Sequence, residues 1–178
     1  YNLSRVTLST HQGTHMDMPY HFFYEGDTLS ELDLSRCVCR AIKVDLTYKK
    51  PGEPIDIGDL LPYEEKIKQG LSVLLHTGWD KVYPLDEFFS QFPYVTTELA
   101  IWFAQREINL VGMDMPTPNG TDWKCVHEDM LGAKILIVEG LSNLGQLPDT
   151  EFTFICLPLK LRKCDGSPVR AIAVLDME

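Results

Sequence analysis

Apolar and polar positions alternate along residues 3–9, a spacing that predicts a strand running into a histidine-rich segment. Residues 36–46 are rich in Val, Ile and Ala and predict a second strand. Asp59 is placed to cap a helix that continues through Gln69 and stops at Gly70. A short apolar strand is expected over residues 71–75. Thr96 or Thr97 caps a helix over residues 98–106, whose stripe is Leu99, Ala100, Phe103 and Ala104. Residues 109–113 and 134–138 read as buried strands. Residues 151–161 and 169–175 read as two strands joined by the turn at 163–168. No repeat or linker interrupts the pattern. Strands with a few helices in one unit predict an α/β fold with a mixed sheet, a single domain over residues 1–178.

Composition narrows the function. The 178 residues are 44% hydrophobic, enough to bury a core. A net charge of -10 disfavours nucleic acid and anionic membrane as partners, since both attract basic surfaces. No apolar run approaches the roughly 20 residues of a membrane span, and no signal-peptide pattern is present. The five cysteines, Cys37, Cys39, Cys125, Cys156 and Cys164, are odd in number and sparse, which suits a reduced, cytoplasmic setting. Cys37 and Cys39 share a strand face without zinc-ribbon spacing and read as buried thiols. A small-molecule substrate fits this profile best.

The chemistry is concentrated in His11-Gln-Gly-Thr-His15-Met-Asp17-Met-Pro19-Tyr-His21. Three of the five histidines lie there, with one aspartate. Imidazole nitrogens and carboxylate oxygens are ligands for a borderline divalent ion such as zinc or manganese. Gly13 and Pro19 disfavour a helix. An extended chain would point His15, Asp17 and His21 to one side, and a bend at Gly13 would bring His11 to the same point. A structural zinc site usually uses cysteine; this donor set favours a catalytic one.

A second cluster follows. His127 lies in a short helical segment over residues 127–132, and Glu139 closes the apolar strand that comes next. A carboxylate at that position is partly buried and needs a cation or several donors. His127 and Glu139 could complete a binuclear site.

Together these segments resemble the cyclase family of metal-dependent hydrolases, known through kynurenine formamidase and isatin hydrolase. The pattern H-x-G-T-H-x-D-x-P-x-H is matched by residues 11–21, and His127 with Glu139-Gly140-Leu141 matches the second element. Thr77-Gly78-Trp79, Gly112 to Pro116, and the segment from Leu157 through Asp165-Gly166-Ser167-Pro168 to Ala171 are further landmarks. The resemblance implies a swivelling β/β/α domain with a mixed sheet and a homo-oligomer, dimer or larger. It implies one or two divalent ions per chain, zinc first and manganese second. His11, His15, Asp17, His127 and Glu139 would be the ligands, and His21 the catalytic acid/base. Family members carry a further aromatic-containing stretch before the cluster; this sequence opens at Tyr1, and N-terminal residues are expected to be missing from it. Met18 stands where kynurenine formamidases have Ala.

The implied reaction is attack of an ion-activated hydroxide on an amide or formamide carbonyl, with His21 moving the proton to the leaving amine. The first substrate is an aryl formamide such as N-formylkynurenine, a step of tryptophan breakdown. Hydrolysis of a cyclic amide, lactone or carbamate is the alternative enzyme reading. A non-catalytic metal-binding protein is the third, and His21, beyond the ligand set, argues against it. Phe22, Phe23, Tyr24 and Trp79 are candidates for an aromatic substrate wall, with Phe22 and Trp79 foremost. Asp114 reads equally as a support behind the ligands or a surface cap. His76 reads as a hydrogen-bonded core histidine and Cys125 as a passive thiol.

Overall fold

The computed structural model describes residues 1–175. In chain order the elements are β1 (His15–Asp17), β2 (Val38–Asp45), β3 (Pro54–Ile55), α1 (Ile57–Leu60), β4 (Ser72–His76), β5 (Tyr94–Val95), α2 (Thr97–Gln105), β6 (Leu110–Met113), α3 (Trp123–Gly132), β7 (Leu136–Glu139), β8 (Phe152–Ile155), β9 (Gly166–Pro168) and β10 (Ile172–Val174). Eight strands form one sheet in the order β10-β8-β2-β4-β6-β7-β1-β9, and β3 pairs with β5 in a small second sheet. The central strands β2, β4, β6 and β7 are parallel. Antiparallel strands flank them: β8 and β10 beyond β2, β1 and β9 beyond β7. The α/β class and mixed sheet expected from the sequence are present.

Side chains alternate across this sheet. Ile42, Val44, Val73, Leu75, Val111, Met113 and Ile137 point to one face, where α2 and α3 contribute Leu99, Phe103, Val126 and Met130. Ala41, Leu74, Leu110, Leu136 and Val138 point to the other, packed with Met16, Phe152, Phe154 and Leu144. Both faces are covered, which is why β4, β6 and β7 read as near-continuous apolar runs.

Four local expectations need correction. Residues 3–9 form no strand; Leu3 and Val6 are 84% and 75% exposed, and their alternation meets no neighbouring strand. The helix expected from Asp59 to Gln69 is only α1, capped by Asp56, with the Asp59 carboxylate accepting from the Asp56 N–H. Pro62 then opens a 3-10 turn, Leu61–Tyr63, since its ring and missing N–H cannot continue the helix. The helix carrying His127 begins four residues earlier, at Trp123. The strand expected over 151–161 stops at Ile155, and the expected turn at 163–168 contains β9, which pairs with β1. β8 and β10 do pair antiparallel, as Ile172 opposite Ile155 shows.

Candidate metal centre

The site forms where β1 lies between β7 and β9. The register sets His15 opposite Glu139 and Asp17 opposite both Ile137 and Gly166. His15, Asp17 and Glu139 therefore share the sheet face on which α3 packs. Gly13 has φ +65, a left-handed turn that suits glycine, and it folds the chain back so that His11 Nδ1 lies 2.8 Å from Asp17 Oδ1. His127 reaches down from α3, its Nε2 3.3 Å from Glu139 Oε1 and 3.7 Å from Asp17 Oδ2. His15 Nε2 is 3.3 Å from Glu139 Oε2 and 3.4 Å from Asp17 Oδ1. Thus His11, His15, Asp17, His127 and Glu139 are brought together, all but His11 buried.

The hydrogen bonds orient two of these rings. His15 Nδ1 donates to the Gly13 carbonyl at 2.9 Å, and His127 Nδ1 to the Trp123 carbonyl at 2.6 Å. With its proton on Nδ1, a neutral imidazole carries its lone pair on Nε2. Both Nε2 atoms then face carboxylate oxygens, and His15 Nε2 is buried without a hydrogen-bond partner. Lone pairs aimed at anions in a desolvated place call for a cation between them. A proton can serve. Burial would lower the His15 pKa, yet Glu139 and Asp17 push it up to about 9. The same opposition raises His127 and His11. Burial disfavours charge on Glu139, but the neighbouring His127 and His15, when protonated, hold its carboxyl below the usual range. Three imidazoles and two carboxylates are also the donors a zinc or manganese ion takes. The residues present fit a divalent ion.

His21 is reached differently from the extended path the sequence suggested. The chain leaves β1 through a 3-10 turn, Pro19–His21, with the His21 N–H bonded to the Met18 carbonyl. The His21 ring stacks on His11 at 3.9 Å between centroids, and its Nδ1 is 3.4 Å from Asp165 Oδ2. Burial, then the neighbouring His11, lowers the His21 pKa. Asp165 was missed by sequence reasoning, which saw it only as part of a turn and a landmark. Its Oδ2 also lies 3.0 Å from His11 Nε2, and its Oδ1 accepts from Thr10 Oγ1 at 3.0 Å. The available signal was Gly166: a Cβ there would sit 2.7 Å from His11 Cε1 and from the Met16 carbonyl oxygen, so only glycine lets β9 lie this close.

A cavity of about 880 Å³ opens above the cluster. His11, His15, Asp17, His21, His127 and Glu139 form its floor, and Phe22, Phe89, Phe92 and Trp123 supply aromatic lining. Phe22 stacks on His127 with centroids 4.7 Å apart and planes 11° from parallel. Trp79 does not line this cavity. It is buried in the core, and its indole N–H donates to the Phe88 carbonyl at 3.0 Å, so it braces the loop that carries Phe89. Phe23 packs against the core and Tyr24 is 84% exposed. Asp114 is not a surface cap: it is fully buried and accepts from Thr77 N, Thr77 Oγ1 and Gly78 N. His76 is buried away from the cavity, and its Nδ1 has no hydrogen-bond partner, unlike the bonded core histidine expected. Cys125 is exposed on α3.

A family model described as "Putative cyclase" matches residues 2–119. A kynurenine formamidase of Bacillus cereus is 30% identical over 179 residues, spanning 96% of this chain and 79% of that protein. The solved structure of a "potential metal-dependent hydrolase with cyclase activity" superposes with a TM-score of 0.83 at 28% identity, covering 95% of this chain and 81% of that one. An isatin hydrolase bound to thioisatinate shares the fold, with a TM-score of 0.87 at 23% identity over 95% of this chain and 73% of that one. The chain belongs to the cyclase family. Among the described residues no helix is long and apolar enough to cross a membrane.

Proposed function

We propose that this chain is a metal-dependent hydrolase of a non-peptide C–N bond, with aryl formamides of the N-formylkynurenine kind as substrate. The observation that carries this is the pair His15 and His127, each donating Nδ1–H to a backbone carbonyl and aiming Nε2 at buried carboxylates. Likeness to a kynurenine formamidase over nearly the whole chain supports the substrate class.

His11, His15, Asp17, His127 and Glu139 would hold one or two divalent ions, zinc first and manganese as the alternative. A bound ion supplies an acidic water and a Lewis acid for the scissile carbonyl. The chain's own residues do the rest. Phe22, Phe92 and Trp123 receive a flat aryl group in the cavity. His21, neutral because burial and His11 depress its pKa, accepts a proton at Nε2 and returns it to the leaving amine. The donors of His11, Asp17 and His21 also lie within 4.8 Å of one another. That grouping supports a second reading, in which His21 ligates a second ion.

The proposed setting is a cytoplasmic homo-oligomer, dimer or larger. Unpaired thiols and exposed apolar side chains such as Leu3, Val6, Ile172 and Val174 support it. Light scattering on the purified protein measures the oligomer. The deciding experiment is metal content on protein purified without chelator or affinity metal, followed by a panel of aryl formamides, cyclic amides and lactones. One to two equivalents per chain, lost in His15→Ala, with turnover of a formamide, is the expected result. No ion after reconstitution with zinc and manganese would overturn the reading. Turnover confined to cyclic amides or lactones would keep the hydrolase and replace the substrate.

A further inference from the structure

We propose that Asp165 is a positioning residue that sets the tautomers of both His11 and His21, an inference that rests on the hydrolase reading above. The main chain already anchors this segment. Met18 N–H bonds to the Asp165 carbonyl at 2.9 Å, and the next residue, Gly166, pairs with Asp17 in the β1–β9 ladder. The side chain is therefore not needed to hold β9 in place. It turns toward the histidines, and it adds a third carboxylate to a cluster that already contains Asp17 and Glu139, in a chain of net charge -10.

The three contacts of this carboxylate divide its two oxygens. Oδ1 accepts from Thr10 Oγ1 at 3.0 Å, which fixes the carboxylate plane. Oδ2 faces His11 Nε2 at 3.0 Å and His21 Nδ1 at 3.4 Å. An ionised carboxylate only accepts, so each ring nitrogen facing it carries a proton. With an ion held by Asp17, His11 would turn the lone pair of Nδ1, the atom 2.8 Å from Asp17 Oδ1, toward that ion. His21 keeps its lone pair on Nε2.

This completes a pattern shared by all three candidate ligand histidines. His15 donates to Gly13, His127 to Trp123 and His11 to Asp165, and each turns its other nitrogen toward Asp17 or Glu139. Partners of this kind orient a ligand ring and set its tautomer. Asp165 differs from the two backbone carbonyls in serving a second ring as well. The stacking of His21 on His11 places both protons within reach of one oxygen. One side chain thereby assigns one imidazole to ion binding and the other to proton transfer.

The test is the ring-nitrogen NMR spectrum of protein carrying ¹⁵N-labelled histidine and loaded with zinc, for the wild type, Asp165→Asn and Asp165→Ala. The wild type is expected to show His21 protonated at Nδ1 and His11 at Nε2. In Asp165→Ala, His21 should shift toward the Nε2–H form. In Asp165→Asn, an amide N–H in place of Oδ2 should turn His21 to the Nε2–H form and loosen His11 from the zinc. At saturating zinc, kcat for the formamide should fall about 100-fold or more, by analogy with loss of the orienting carboxylate in a catalytic triad. KM should stay within about threefold, because Asp165 touches no substrate-binding surface. Asp165→Glu should restore part of the rate. A wild-type spectrum with His21 protonated at Nε2 would overturn the inference without any variant. So would unchanged tautomers, or kcat within threefold, in both substitutions. Failure of every protein, wild type included, to bind metal or turn over substrate would overturn the hydrolase reading instead, and the His21 tautomer would still be read in the metal-free state.

Discussion

His15 and Glu139 are direct partners across the β1–β7 pairing, with His15 Nε2 3.3 Å from Glu139 Oε2 on the buried face of the sheet. Their distance is set by backbone register rather than by flexible side chains. A slip of one residue would turn both away from the cavity.

The first prediction concerns pH after chelation. The folded-state pKa of His15 is raised to about 9, above its ordinary value, so its protonation stabilises the metal-free fold fully below about 6.5. That contribution is lost as pH rises through 9. Chelated protein should therefore melt at progressively lower temperature between pH 6.5 and 9. Zinc-loaded protein should show the reverse tendency, because its ligands bind best unprotonated. Thermal scans at three or four pH values measure both curves, and parallel curves would contradict the account.

His21→Ala should keep its ion and lose about 10²- to 10⁴-fold in kcat. Metal analysis and steady-state kinetics on one preparation separate the roles. Loss of an equivalent of metal would make His21 a ligand, as its grouping with His11 and Asp17 allows.

Gly166→Ala should damage the site without removing a polar group. The added methyl would lie 2.7 Å from both His11 Cε1 and the Met16 carbonyl oxygen, so β9 or the His11 ring must move. Overpacking of this kind costs about 1–3 kcal/mol. The expected readout is a weaker apparent zinc affinity by titration together with a lower melting temperature. Wild-type affinity would show that His11 is not held by this contact.

Asp114→Ala should act on stability alone. Its carboxylate receives three donors from Thr77 and Gly78, with burial pushing its pKa up against those bonds. Removing it strands buried N–H groups, at about 2–4 kcal/mol in total. Denaturant unfolding should show that loss, while metal stoichiometry stays at the wild-type value.

Three of the central strands were legible because both sheet faces are buried there: residues 73–75, 110–113 and 135–138 are apolar whichever way they point. The strands β1, β3, β5 and β9 were not, since two or three residues have no periodicity and become strands only through their neighbours. Residues 3–9 show the converse, alternation without a pairing strand. Thr96 was readable as a cap because capping is local, and its hydroxyl does accept from Leu99 N. The helix expected from Asp59 is cut short by Pro62, whose ring and missing N–H outweigh the helix-forming residues after it. In the candidate site, His11 to His21 stood out by histidine density. Asp165 did not, because its role depends on β9 crossing beside β1, and nothing near it in the chain records that. Trp79 was drawn to the cavity by its aromatic character, while its N–H belongs to Phe88.

The β1–β9 pairing joins residues about 150 apart in sequence, with His127 and Glu139 between them. A ribosome releases the His11 to His21 segment about 150 residues before Asp165 and Gly166. Long-range closure of this kind is slow and comes late in folding. A chain that has not yet added β9 therefore presents loose histidines but no assembled pocket, and tight ion capture would report that β9 has closed on β1. Metal loading and quality control would then be the same event.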